Sequence, residues 1–442
     1  MVRKQQLFRL GARRIFTAPS ALLLDALVYF ASFVLAFVNI FVAAGGDYKQ
    51  WGLLAFFPYL LAAVGTFRLH RTDPNSKRTI TWRRWIVVGL FFTSLVAPLA
   101  VSVAQRTLAT PGVHAQAEVV VIERCGDRVA TNQDCYLSHP STVGVSATNY
   151  SPSLDANAFV PYLPGMAIFG ISNSLPIPSP LRDARVAMTV FTVLLVLIAL
   201  AISGLSSEDR WRIFQFALVL PAGALPLVTG GDDLPVIALL LLAVILSRKR
   251  KPMAAGLAAG AAVIMKLTAW PLALLLLFVQ RDDENNQAWQ PYLISVASIF
   301  VPVLSIAAAV NPRAFIVNEL LFPLGLTKVK SPAQSPLLGQ AIFSLFPGYR
   351  LEVVSLLILI GAVLTVLVYL KWRPRGLGAT IGFAAFILTA ATVLAPATRF
   401  GYLLYPCNFV LWASIMRSPA EEPAGGNFAI EEVTLTDEAY LS

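Results

Sequence analysis

Residues 253–280 read MAAGLAAGAAVIMKLTAWPLALLLLFVQ, an almost unbroken apolar run with Lys266 near its centre and Pro271 close behind. The run is longer than the roughly 20 residues with which a helix crosses a hydrocarbon core of about 30 Å. A lysine this deep in an apolar run requires a carboxylate or a bound anion as its partner. The segment therefore either crosses the membrane once, or enters it and returns as a re-entrant helical hairpin.

The composition of the whole chain predicts an all-α integral membrane protein. Of 442 residues, 57% are hydrophobic and only 13% are charged, whereas soluble domains carry about 25% charged residues. The formal net charge is +10. Its basic residues are clustered in short runs between apolar segments, as the positive-inside rule describes, rather than along one stripe. No nucleic-acid partner is therefore expected.

About ten apolar stretches are long enough to be transmembrane helices. They lie near 21–44, 52–69, 85–104, 184–203, 212–229, 233–247, 291–310, 352–370, 377–395 and 401–416. Basic clusters precede the first stretch and follow the second, the sixth and the eighth. A single crossing at 253–280 would place the basic run 371–375 outside, against the charge rule. A hairpin keeps every cluster inside, so we predict ten spans plus a re-entrant hairpin, with both termini cytoplasmic in a plasma membrane.

Two long segments, 105–183 and 311–350, are then external. The first contains Cys125 and Cys135, with nine residues between them. Because an external compartment is oxidising, the two are predicted to form a disulfide, with two free cysteines as the alternative. No cofactor and no metal ion is expected.

Several ionisable residues lie at the predicted external ends of the spans. Arg185 opens the fourth span and is either an interfacial anchor or a phosphate contact. Asp232 and Asp233 follow a glycine pair at the mouth of the sixth span, where they could bind a metal, orient a sugar or cap the helix. Lys266 and Arg399 are further cations, the latter at the end of the ninth span. This set suits an anionic, lipid-linked substrate.

Three stretches of this sequence resemble GT-C glycosyltransferases, and most closely glycosyltransferase family 87, the actinobacterial membrane mannosyltransferases. They span most of the chain from residue 105 onward, and their order is more specific than any one motif. The first is AEVVVIE at 117–123, followed by Tyr136 and FVPYLPG at 159–165. The second is GGDDLP at 230–235, with AGL at 255–257 and KLTAWP at 266–271. The third is 395–405 with Pro406.

This chain departs from the pattern of that family in three respects. Glu118 stands where the family usually has Asp, and Arg399 and Tyr402 stand where many members have His. The first two spans, within 1–84, resemble an addition to a catalytic core at 85–418. A tail at 419–442 is acidic, lacks an apolar pattern and is predicted to be disordered and cytoplasmic.

The resemblance implies an inverting transfer of a sugar, with mannose as the expected sugar, from a polyprenyl-phosphate donor in the membrane lipid. The acceptor would be a cell-envelope glycolipid or polysaccharide. Glu118 would be the general base, with Glu123 and Asp127 as alternates. The implied substrate-binding residues are Asp232, Asp233, Arg185, Lys266, Arg399 and Tyr402. The alternatives are a transporter or flippase of lipid-linked substrates and a non-catalytic assembly protein. A transporter usually contains internal repeats with charges at the midplane, whereas this sequence shows no repeat and most of its span-associated charges lie at one face.

Overall fold

The chain is helical through almost all of the part that the structure describes. The computed structural model describes residues 18–43, 45–72, 74, 76–108, 114–136, 156–281 and 287–416. Within these ranges the only bridge of β type is a single parallel pair between Gln334 and Thr398. The predicted tail at 419–442 lies outside the described residues.

Fourteen helices, numbered here in chain order, carry the described fold, and short 3₁₀ and π turns join several of them. Their bounds are α1 Ala18–Val42, α2 Gly46–Thr72, α3 Lys77–Leu108, α4 Ala117–Ala130, α5 Ala184–Ile202, α6 Ser207–Thr229, α7 Asp233–Arg248, α8 Pro252–Val263, α9 Trp270–Arg281, α10 Trp289–Val310, α11 Leu338–Leu345, α12 Arg350–Trp372, α13 Gly376–Leu394 and α14 Leu404–Ile415. Helices α3 and α6 each contain a π-helical turn, at Phe91–Val96 and Gln215–Val219.

Eight described helices, rather than the predicted ten, are long and apolar enough to cross a membrane. The other two predicted spans fall on shorter helices, α7 with 16 residues and α14 with 12. At 1.5 Å per residue, 16 residues reach only about 24 Å. Such a helix can lie at membrane depth when protein surrounds it, and 12 of the 16 residues of α7 are buried. The hydropathy of this stretch is like that of a lipid-facing span, so the sequence did not reveal that the helix is enclosed by protein.

The stretch 253–280 forms two 12-residue helices, α8 and α9, with a break at Ile264–Ala269. Tyr292 of α10 contacts both of them. Its carbonyl would lie 2.4 Å from a Cβ built on Gly256, so the two backbones are in close contact, and its hydroxyl donates to the carbonyl of Ala273 at 2.7 Å. Since one residue contacts positions on each side of Lys266, the chain must turn back there. The two helices therefore form a hairpin with Lys266 near its tip, while its depth in a membrane stays a prediction.

The N-terminal helix pair α1–α2 is bound to the rest of the protein by buried polar contacts. The indole of Trp51 donates to the carbonyl of Ser94 at 2.9 Å, and the hydroxyl of Tyr59 donates to the carbonyl of Val219 at 2.5 Å. Asp25, which is 1% exposed, pairs with Arg83 and Arg212. The pair is thus fixed against α3 and α6. The predicted boundary at residue 84 falls inside the continuous helix α3.

Candidate active site

Five charged residues from four distant parts of the chain meet in one cluster. Glu118 of α4 forms an ion pair with Arg399, which is 281 residues away in the sequence. Beside this pair, Lys266 forms ion pairs with Asp232 at 2.6 Å and with Asp233 at 2.5 Å. The two sets are close enough for the charges of Glu118 and Asp232 to interact. The fold therefore brings together six of the predicted site residues, since Tyr402 also faces the cluster.

Glu118 lies in the first turn of α4, an amphipathic helix whose apolar side is buried. Gln116 precedes that turn, and its side chain makes no capping bond to the helix. It donates instead to the hydroxyl of Thr229 at 2.9 Å, and its backbone N–H donates to the carbonyl of Thr229 at 3.1 Å. Further along α4, a Cβ on Gly126 would lie 2.1 Å from the backbone of Gly170. Only glycines permit this approach, which fixes the helix against the segment 164–174.

Arg399 lies in extended backbone between α13 and a 3₁₀ turn at Phe400–Leu403. Bonds to residues 333–335 hold its neighbours on both sides. The N–H of Thr398 donates to the carbonyl of Ala333 at 3.0 Å, and the N–H of Phe400 donates to the hydroxyl of Ser335 at 3.1 Å. The side chain of Arg399 is 37% exposed, which makes it the most accessible member of the charged cluster.

Asp232 and Asp233 follow Gly230, which ends α6 in the left-handed conformation with φ +109°. This conformation favours glycine, and a Cβ there would also meet Val119 of α4 at 2.1 Å. The side chain of Asp232 does not cap α7, although helix capping was one of the roles that the sequence allowed for it. Both carboxylates point to Lys266, so the structure supplies the anionic partner that a deep lysine requires.

Aromatic side chains enclose the lysine. The ring of Tyr162 lies 5.3 Å from Nζ of Lys266, within the range of a cation–π interaction. Tyr402 and Tyr405 also face Lys266 and Asp233. Lys266 therefore already has two carboxylates and a ring face as partners, and its side chain is only 10% exposed.

The segment that carries Tyr162 is held by a buried acid. The hydroxyl of Tyr136 lies 2.9 Å from both the carbonyl of Tyr162 and Oε1 of Glu319. Because this hydroxyl has one proton and the carbonyl can only accept, a protonated Glu319 satisfies both contacts. Burial raises the pKa of Glu319 to about 8; the hydrogen bond that Tyr136 can donate to the ionised carboxylate opposes the rise but does not cancel it. The same segment donates two backbone N–H groups, from Leu163 and Gly165, to the hairpin tip.

Two predicted residues, Arg185 and Glu123, lie outside the cluster in a separate network. Arg185 is fully buried, and it forms a bidentate pair with Asp183 and donates to the carbonyl of His114. Glu123 forms a bidentate pair with Arg106, which also bonds Asp183 at 2.9 Å. Burial alone would raise the pKa of Asp183, but the hydrogen bonds and charges of Arg185 and Arg106 outweigh burial and lower it. Arg185 and Glu123 are both buried, and their charged groups are bonded to protein partners.

Asp127, the other alternate base, accepts hydrogen bonds from Asn173 and Ser174, both at 2.6 Å. These bonds tether α4 to the 3₁₀ turn Ile171–Ser174. Two residues earlier on α4, Cys125 forms a disulfide with Cys135. Among the described residues, no group of three or more His, Cys, Asp or Glu side chains could hold a metal ion.

Comparison with known proteins identifies the family. Residues 162–396, more than half of the chain, match the family model described as Glycosyltransferase family 87. The chain belongs to glycosyltransferase family 87. The resemblance that the sequence motifs indicated is therefore confirmed, and this family member has eight described helices long and apolar enough to cross a membrane.

No curated protein sequence matches this family 87 member. Among solved structures it is similar to the crystal structure of ArnT from Cupriavidus metallidurans bound to undecaprenyl phosphate. The sequence identity is 15% and the TM-score 0.43, with 75% of this chain and 60% of that chain covered.

The matched range contains only part of the cluster. Tyr162, Asp232, Asp233 and Lys266 lie inside 162–396, whereas the Glu118–Arg399 ion pair lies outside it. The association of that pair with the family 87 core therefore rests on the tertiary contacts described above.

Several residues at the site were not predicted from the sequence. Tyr405 could have been found, because it lies three residues after Tyr402 and so shares a helix face with it. Gln116 and Tyr48 offered no signal. Tyr48 belongs to α2, and its hydroxyl accepts a hydrogen bond from the side chain of Gln116.

Proposed function

We propose that this family 87 protein transfers a sugar from a polyprenyl-phosphate donor to a hydroxyl of a cell-envelope glycolipid or polysaccharide, with inversion, on the external face of the plasma membrane. One observation carries the proposal. A half-buried carboxylate, Glu118, and an accessible guanidinium, Arg399, lie side by side next to the more buried Asp–Asp–Lys cluster. A base and a phosphate-binding cation are the two groups that this transfer requires.

The chemistry follows from these groups. Glu118 accepts the proton of the acceptor hydroxyl while its oxygen attacks the anomeric carbon. The new C–O bond forms on one face as the bond from carbon to the phosphate oxygen breaks on the other, so the configuration inverts. The leaving polyprenyl phosphate carries away the electron pair as an anion. It needs a cation more than a proton, so one base is sufficient.

Arg399 is the cation best placed to hold that phosphate. In the described part of the chain its guanidinium bonds to Glu118 through Nη1 alone, and the other N–H groups remain available for a bidentate contact. A phosphate that binds to Arg399 competes with Glu118 for the same guanidinium. Donor binding would therefore release the carboxylate that must accept the proton.

Lys266 supports the acidic pair in this proposal, because its donors already point to Asp232 and Asp233. A buried carboxylate needs such a partner to stay ionised. Asp232 still has one buried oxygen, Oδ2, without a hydrogen-bond partner among the described residues. That oxygen can accept a hydrogen bond from a sugar hydroxyl. Mannose is the expected sugar from the family resemblance.

The base assignment is tested with Glu118→Gln, which keeps the size of the side chain but cannot accept the proton. The assay measures transfer of radiolabelled mannose from polyprenyl-phosphate mannose into glycolipid and polysaccharide of washed membranes. Turnover should fall by about 10²- to 10⁴-fold, with donor binding retained. Glu352→Gln is the matched control, because it removes an exposed carboxylate at the start of α12.

Transfer by the folded Glu118→Gln protein at the unmodified rate would place the base elsewhere. An unmodified protein that transfers no sugar from any polyprenyl-phosphate donor would reject the proposed function itself.

A further inference from the structure

The N-terminal helix pair reaches the candidate active site, although it lies outside the range that matches family 87. Its external end is the first turn of α2, which begins at Gly46. Three polar residues of that turn, Asp47, Tyr48 and Gln50, face the rest of the protein. Asp47 is buried and interacts with the charges of Arg185 and His114. Gln50 donates to the side chain of Gln105 at 2.5 Å.

Tyr48, in the same turn, faces the site itself. Its phenol oxygen accepts a hydrogen bond from the side-chain amide of Gln116. The phenol is close enough to Glu118 and Arg399 for their charges to act on it. One residue of the added helix pair thus lies beside both members of the accessible ion pair.

Gln116 connects Tyr48 to the position of the base. It immediately precedes α4, two residues before Glu118. The same side-chain nitrogen that donates to Tyr48 also donates to Thr229, three residues before Asp232. The first turn of α4 is therefore fixed between the loop that leads to Asp232 and the helix pair.

We propose that Tyr48 is a positioning residue for sugar transfer: through Gln116 it fixes the first turn of α4, and hence the carboxylate of Glu118, against Thr229. The inference rests on the proposed function. It gives the helix pair a role in catalysis beyond that of a membrane anchor. Because Tyr48 acts on the base and not on the phosphate, its loss should lower turnover and leave donor affinity unchanged.

The test compares Tyr48→Phe with Tyr59→Phe. Both variants remove one phenol hydroxyl from α2. Tyr59, however, bonds to the carbonyl of Val219, which also accepts from the hydroxyl of Ser94 at 3.1 Å and so keeps a partner. With kcat expressed per folded molecule, Tyr48→Phe should lower kcat roughly three- to tenfold, the effect of one lost hydrogen bond. Its KM for polyprenyl-phosphate mannose should stay within twofold. Tyr59→Phe should change neither kcat nor KM by more than twofold, even if the melting temperature of this variant is lower.

A double-mutant cycle tests the route through Gln116. Gln116→Leu should lower kcat at least as much as Tyr48→Phe, and adding Tyr48→Phe to it should produce no further fall. If the double variant loses kcat by the product of the two single-variant losses, the inference is overturned. A Tyr48→Phe variant as active as Tyr59→Phe would also overturn it. If Glu118→Gln still abolishes transfer in that case, the proposed function stands. A lack of transfer by the unmodified protein would overturn both.

Discussion

Replacing Arg399 by alanine tests whether this guanidinium holds the phosphate of the donor. The side chain is 37% exposed and bonds to Glu118 through one nitrogen. A charge-assisted hydrogen bond contributes about 1.5–3 kcal/mol. Arg399→Ala should therefore weaken binding of polyprenyl phosphate, and the variant should still insert, because no other described side chain bonds to this guanidinium.

The expected loss of binding free energy in Arg399→Ala must allow for the Glu118–Arg399 ion pair, which the donor phosphate disturbs. Glu118 is 17% exposed and Arg399 37%, and an ion pair with this exposure is worth at most about 1 kcal/mol. When the phosphate takes the guanidinium, part of that energy is lost in the unmodified protein. The net loss in the variant is then about 1–2.5 kcal/mol, or roughly five- to seventyfold in the dissociation constant.

Binding of polyprenyl phosphate to the purified protein in lipid nanodiscs measures this constant directly. Arg399→Lys should recover only part of the affinity, because lysine keeps the charge but lacks the planar fork. Arg313→Ala is the matched control, since Arg313 is an exposed arginine outside the charged cluster. If folded Arg399→Ala protein binds the phosphate within twofold of the unmodified protein, Arg399 does not belong to the donor site.

Two further predictions concern topology and pH. An impermeant thiol reagent applied to intact cells should label a cysteine at Lys330 and spare single cysteines at Lys251, Arg281 and Trp372; external labelling at Trp372 would exclude the re-entrant hairpin. The pKa of Glu319, which burial raises to about 8, lies above its value of about 4.3 in an unfolded chain. The protonated acid is thus favoured by folding, so the contribution of Glu319 to the unfolding free energy should be greatest below about pH 4.5 and fall by a few kcal/mol as the pH rises to 8. Melting temperatures across that range should show the fall, and Glu319→Gln should flatten it; an equal slope in the variant would contradict the assignment.

Much of the fold could be predicted because lipid is a demanding solvent. Apolar runs of sufficient length must be helical in a bilayer, where every backbone group needs an internal partner. The hydropathy of the sequence therefore located the long helices. The interruption at Lys266 similarly indicated a turn, because a charge is costly in the middle of a span. The difference between α7 and a lipid-facing helix was not visible, since enclosure by protein leaves no mark on mean hydropathy.

The sequence by itself determined the class of the protein, its family and the residue types of the site. The chemistry of a lysine in an apolar run required an anionic partner, and Asp232 and Asp233 were already among the candidates. Arg185 and Arg399 looked alike in the sequence, because each is a cation at the end of a span.

Only the tertiary structure decided which of these cations could meet a substrate. Arg185 is enclosed by Asp183 and by backbone carbonyls, whereas Arg399 is left accessible beside Glu118. The tertiary structure also placed Tyr48 of the N-terminal pair against Gln116, close to Glu118. Long-range pairs of this kind depend on how helices pack against one another, and no local periodicity or propensity encodes a contact between residues 281 positions apart.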